Sequence, residues 1–164
     1  MIRIYVIALF LFAPVAVWSQ GKTISSPAEN APIAEQQKWL VNAFTKYATH
    51  RTPTTSVKVT STKLEGCSLS YTETKSFGAT SEELLILTTR TDLVKNNVVI
   101  DLAKLEIAGM KLADHMSADL MALTFRVRRT DSSFKDFEIV LRQPAAEAIK
   151  TTLERVARGC QQSS

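Results

Sequence analysis

From Ile33 onward the apolar positions Leu40, Ala43, Phe44, Tyr47 and Ala48 recur at three- and four-residue spacing, with Trp39 at the edge of the stripe. That period predicts an amphipathic helix of about four or five turns. The helix should start near Pro32, with Asn30 as its candidate cap, and end before the break at "HRTP". Ahead of it, residues 20–30, "QGKTISSPAEN", carry Ser, Pro, Gly and Asn and read as a flexible lead-in.

The period then changes. "TSVKVTSTK" alternates Val57 and Val59 with polar neighbours, and "CSLSYTETKSF" sets Cys67, Leu69 and Tyr71 on one face. "ELLILTTR" and "NVVIDL" are short apolar runs of the kind found in strands buried on both sides. "LMALTFRVRR" alternates Met121, Leu123, Phe125 and Val127 with Ala122, Thr124, Arg126 and Arg128. "FKDFEIVLR" places Phe137, Ile139 and Leu141 on one face. About six strands follow from this pattern, several joined by hairpin-length connections. "KLEIA" or part of 108–119 is the candidate for a seventh.

The last element returns to the helical period. In "QPAAEAIKTTLERVARGC" the apolar positions Ala145, Ile149, Leu153, Val156 and Cys160 are separated by four, four, three and four residues. Glu147, Lys150, Glu154, Arg155 and Arg158 lie off that stripe, and Pro144 suits the first helical turn. Arginines near the end also favour the negative pole of the helix. The expected fold class is α+β. It comprises an N-terminal amphipathic helix and a mainly antiparallel bent sheet or small barrel of about six or seven strands, closed by a C-terminal helix. One domain should span 31–160, with 161–164 as a tail.

The N-terminus changes the picture of location. "MIRIYVIALFLFAPVAVWSQ" has one positive charge at Arg3, an apolar run from Ile4 to Val17, and a plausible cleavage point after Ser19. This is the layout of a secretory signal peptide over 1–19. An uncleaved anchor is the alternative, but the run is short for a bilayer and Pro14 interrupts it. The mature chain is expected to carry no transmembrane segment and to be exported, periplasmic or secreted.

Oxidising surroundings bear on the chain's two cysteines. Cys160 extends the buried stripe of the last helix and Cys67 belongs to the apolar face of an early strand. A helix packed on that face would bring both sulfurs to one interface, giving a disulfide that closes a loop of about 94 residues. Two free thiols or an intermolecular bond are the alternatives.

Charge excludes one class of partner. The net charge of +4 falls to about +3 without Arg3, too little to neutralise many phosphates, so nucleic acid is not an expected partner. The basic run at Arg126, Arg128 and Arg129 has a simpler account than binding. With Phe125 opposite Ile139 and Val127 opposite Phe137, Arg126 would face Glu138 and Arg128 would face Asp136 across a loop centred on Ser132. Arg129, Arg142 and Lys135 would remain for an acidic partner.

No catalytic, cofactor or metal site is predicted. His50 ends the first helix and His115 lies in "MKLADHMSADL", and both read as polar loop residues. There is no H-x-x-x-H or H-E-x-x-H spacing, no C-x-x-C, no G-x-S-x-G, no phosphate-binding glycine loop and no calcium loop. Exposed aromatics such as Trp39 and Phe77 suit an apolar ligand, although core packing is the commoner use. The residues therefore favour an exported, non-enzymatic module that binds a protein, peptide or apolar ligand. Two alternatives are a hydrolase with a dispersed site, for which His115, Asp114 and Asp119 are the candidates, and a structural subunit of an envelope complex.

Strands over 54–142 followed by a single amphipathic helix over 144–160 resemble the layout of pleckstrin-homology-like barrels. The resemblance implies a bent sheet forming a small barrel with the last helix over an open end. The basic first hairpin by which inositol-lipid binders of that type resemble one another is not matched here, where Lys58 and Lys63 stand around "KLEGC". What carries over is a weak preference for a peptide- or protein-binding role. Other α+β arrangements, including a cystatin-like sheet wrapped on the first helix, are also compatible with the pattern.

Overall fold

Two amphipathic helices bracket the strands, and each buries the stripe that its spacing marks. In the computed structural model, which describes residues 23–52, 55–77, 92–115 and 117–163, the first helix, α1, spans Ile33–Tyr47 and buries Gln36, Leu40, Ala43 and Phe44. Its cap differs from the expected Asn30. Pro32 occupies that position and offers no side-chain hydrogen bond. Instead the buried Gln36 amide donates back to the carbonyls of Ala31 (2.8 Å) and Glu29 (3.4 Å), which fastens the entering chain. The lead-in is tied down as well. Ile24 N–H donates to Pro144 O at 2.9 Å, and Arg155 Nη1 donates to Pro27 O at 2.8 Å. The expected leader, 1–19, lies outside the described residues.

Seven strands follow among the described residues, in two antiparallel sheets. The first sheet holds β1 (His50–Arg51), β2 (Thr55–Glu65), β3 (Ser68–Phe77) and β4 (Asp92–Asp101) in the order β1-β2-β3-β4. The second holds β5 (Lys111–Asp114), β6 (Leu120–Arg128) and β7 (Phe134–Arg142) in chain order. Where a single bent sheet or small barrel was expected, no ladder joins the two sheets among the described residues, and the barrel is not closed. At one corner the chain leaves β4 through two short 3-10 turns, Leu102–Lys104 and Ile107–Gly109, so "KLEIA" turns rather than pairs. An isolated bridge, Leu105 to Val127, is its remnant of ladder. The extra strand comes from the 108–119 stretch, as β5. "NVVIDL" falls within β4 and its continuation, while "ELLILTTR" lies outside the described residues.

Local irregularities sit where the backbone demands them. Gly66 takes a φ of 57° at the first central position of the two-residue β2–β3 turn, a conformation that glycine adopts without penalty. Between Thr60 and Lys63 one extra β2 residue forms a bulge, with Ser61 at φ 54°.

The β6–β7 hairpin corrects one expected register. Arg126 pairs with Asp136, Thr124 with Glu138, Phe125 with Phe137 and Arg128 with Phe134, two residues away from the predicted ladder. A shift of two keeps every side chain on its face, so the apolar pattern cannot choose between the registers. The turn chooses. Ser132 N–H donates to Arg129 O at 3.2 Å, Arg129 N–H donates to Ser133 O at 2.8 Å, and Ser132 lies at φ 64°. This is a three-residue loop built on a type I turn with a left-handed residue after it. Asp131 steadies it by accepting from Ser133 N–H (3.0 Å) and Ser133 Oγ (2.6 Å). Consequently Arg126 forms its ion pair with Glu106 at 2.7 Å, and both Arg126 and Arg128 lie over the Phe134 ring. The Phe125 and Phe137 rings stack, 5.4 Å apart at 10°.

The second helix, α2 (Gln143–Gln162), crosses the corner between the sheets. It buries Ala145, Ile149, Leu153, Val156 and Cys160 together with intervening small residues. It extends past Cys160 into the expected tail. Cys160 is joined to Cys67 by a disulfide with Cα atoms 5.7 Å apart and 93 residues between them in sequence. Cys67 occupies the β2–β3 turn, directly ahead of β3 rather than within it. Phe44 and Tyr71 meet in the core with ring centroids 5.0 Å apart.

Replacing both cysteines with serine should lower the free energy of unfolding by about 2–5 kcal/mol in urea titrations, because a long loop is released. An unchanged unfolding midpoint would contradict this. Phe44→Ala, at a fully buried site, should cost about 3–5 kcal/mol in the same measurement.

Candidate functional site

Strands β2, β3 and β4 of the first sheet are long, and their inner face runs beyond the part covered by the helices and the core. There the two sheets diverge around a cleft of about 970 Å³. Its floor comes from alternate residues of β2 (Val57, Val59) and β3 (Tyr71, Glu73, Lys75, Phe77), and one wall from residues 135–140 of β7. No residue of α2 lines it. The floor grades from buried to open: Val57, Val59 and Tyr71 are buried, whereas Phe77 at the mouth is 46% exposed.

A few polar groups are set into this apolar surface. Lys75 and Glu73 form an ion pair at 3.3 Å. Burial, reinforced by the Glu73 charge, pushes the Tyr71 phenol well above its ordinary range, so it stays protonated. The Lys135 ammonium lies 4.7 Å from the Phe137 ring centroid, over the wall of the cleft.

Both histidines of the chain also reach this cleft, although each reads from sequence as a polar loop residue. His50 is placed in β1 by pairing with Val57 and is only 8% exposed. Its Nδ1 lies 3.1 Å from Ala48 O. A carbonyl can only accept, so Nδ1–H donates, and in the neutral ring Nε2 is left as an acceptor. Burial holds the His50 pKa below its ordinary value, with His115 and Lys75 adding to that effect. The Ala48 hydrogen bond and the Glu73 charge oppose it. His115 follows β5 directly and contributes to the rim.

The other sequence candidates are scattered. Of the suggested hydrolase trio, His115 alone lines the cleft. Asp114 is exposed at the end of β5, and Asp119 accepts from Ser117 Oγ at 2.7 Å, which together with its own backbone holds its carboxyl below the usual range. Arg142 is committed to Thr49 O at 3.1 Å, at the opposite end of β7 from Lys135, so the cations left over for an acidic partner do not form one patch. Trp39 packs partly buried against the core, whereas Phe77 belongs to the cleft. Among the described residues no group of three or more His, Cys, Asp or Glu is placed to hold a metal ion, and no helix is long and apolar enough to cross a membrane.

Comparison with protein-family models, with curated proteins and with solved structures finds no match to this chain. The cleft's own geometry therefore carries the functional reading.

His50 gives that geometry a pH signature. A histidine whose folded-state pKa is depressed contributes stability that is fully present above the unfolded-state value and is lost as pH falls from there towards the folded-state value. Urea midpoints should decline as pH falls through the ordinary histidine range, about 6.5, and below it. His50→Gln should flatten that part of the profile, and an identical decline in the variant would contradict the assignment.

Proposed function

We propose that the chain is an exported, non-enzymatic binding module whose ligand lies in the cleft between the two sheets. The observation that carries this reading is an open cleft of about 970 Å³ with an apolar floor and a small set of charged groups. Ligand sites are typically concave, mainly apolar and of about 300–1,000 Å³, with a few polar groups fixing orientation. Export is supported by the leader-like sequence over 1–19 and by the Cys67–Cys160 disulfide, a bond that persists in oxidising compartments. A four-stranded and a three-stranded sheet with a C-terminal helix also favour a pleckstrin-homology-like layout.

A second reading, as a structural subunit of an envelope complex, draws on the outer face of β4. There Leu93 is 68% exposed and Val99 is 61% exposed. Such a subunit should yield one dominant partner when crosslinked through this face in its native cell.

The cleft reading is tested with the mature, oxidised protein and the fluorescent apolar probe anilinonaphthalene sulfonate. The probe should bind with one-to-one stoichiometry. Phe77→Glu, which changes an exposed side chain at the mouth, should weaken binding by about tenfold while leaving the unfolding midpoint in place. Probe binding that Phe77→Glu does not alter would remove this site from consideration.

A further inference from the structure

Of the strands around the cleft, β7 borders it in an unusual way. β2 presents Val57 and Val59, and β3 presents Tyr71, Glu73, Lys75 and Phe77, as expected of strands seen face-on, where every second residue points the same way. β7 contributes every residue from 135 to 140. A strand whose inward and outward residues both line one space is bordering it with its edge.

That edge is open. Among the described residues β7 is the terminal strand of its sheet and pairs with β6 alone. Its far end approaches β1 through the Arg142 hydrogen bond to Thr49 O, but residues 135–140 face the cleft. An edge of this kind presents unpaired N–H and C=O groups, which are a template for another strand. Lys135 shares a face with Phe137 and lies on the wall. An inward-pointing charge is one of the devices that keep an edge from pairing indiscriminately. It leaves the main chain accessible to a ligand that can accommodate the ammonium.

Resting on the reading of the cleft as the binding site, we propose that its ligand is an extended peptide that adds to the second sheet as a strand along the free edge of β7. Main-chain hydrogen bonds to β7 would fix its register. Every second side chain would turn towards Val57, Tyr71 and Phe77, so the peptide should alternate apolar and polar residues. Six strand residues span about 20 Å, which sets the length of the recognised segment. The outer edge of β4 is the weaker candidate, because only Asn96, Asn97 and Val98 reach the cleft from it.

The experiment uses the mature, oxidised chain and a fluorescein-labelled library of synthetic decapeptides with alternating apolar and polar residues, followed by anisotropy. Tight binders are then N-methylated one amide at a time, and hydrogen exchange of β7 amides is followed with and without peptide. The proposal expects binders whose affinity falls by about tenfold or more on N-methylation of alternate amides only. It also expects slowed exchange at alternate β7 amides. A flat N-methylation profile, or protection appearing on β4 instead, would overturn strand addition at β7 while leaving the cleft as a binding site. Binding of anilinonaphthalene sulfonate without any peptide binder would overturn it in the same way. Failure of both probes would overturn the cleft reading itself. Concentration-dependent dimerisation that protects β7 without peptide would show a second copy in the peptide's place and would also overturn the proposal.

Discussion

The bond between Cys67 and Cys160 joins the two parts of the chain whose relative position decides the shape of everything else. Cys160 is the last buried residue of α2, and Cys67 occupies the turn between the long paired strands β2 and β3. Beside the bond, Leu102 N–H donates to Cys67 O at 2.8 Å and Gln161 Nε2 donates to Leu105 O at 2.8 Å. These contacts hold the end of α2 over the corner where the chain passes from the first sheet to the second. One end of the two-sheet assembly is thereby covered by a helix and a covalent tie. At the other end, where β2 and β3 outrun that cover, no helix lies over the cleft among the described residues.

That asymmetry explains why polar groups are distributed as they are. At the covered end the interior is mainly apolar, and its buried Thr152 hydroxyl is satisfied within α2 by Ala148 O at 2.8 Å. At the open end ionisable groups are tolerated because the cleft is solvent-accessible at its mouth: Glu73 and Lys75 pair there, and Lys135 rests on an aromatic ring. His50 sits between these regimes. It is buried enough to disfavour its cation, yet it borders the cleft and keeps one nitrogen as an acceptor.

Elements with a strong local period were legible in the sequence. The Leu40, Ala43 and Phe44 stripe of α1 and the Ile149, Leu153 and Val156 stripe of α2 are buried as their spacing requires, and Phe125, Val127, Ile139 and Leu141 point inward as alternation predicts. Features set by geometry at longer range were not. The hairpin register depended on the loop conformation at Ser132, to which an alternating pattern is blind when the shift is two residues. Leu105 and Ile107 alternate like a strand, but the chain there must turn a corner, so 3-10 turns replace a ladder. The cleft itself was the least legible. Val57, Tyr71 and Phe137 read as ordinary core positions, and nothing local distinguishes those beneath α2 from those beyond it. Of the two aromatics that suited an apolar ligand in the sequence, Trp39 packs against the core and Phe77 lines the cleft.

The central claim is that the open end, and not the helix-covered end, receives a ligand. Amide chemical-shift mapping of the isotopically labelled mature protein during titration with anilinonaphthalene sulfonate tests it most directly. The account predicts that perturbed amides cluster at residues 55–59, 71–77 and 135–140, with those of α2 unmoved. Perturbations centred on α2 and the Leu102–Gly109 corner would contradict it.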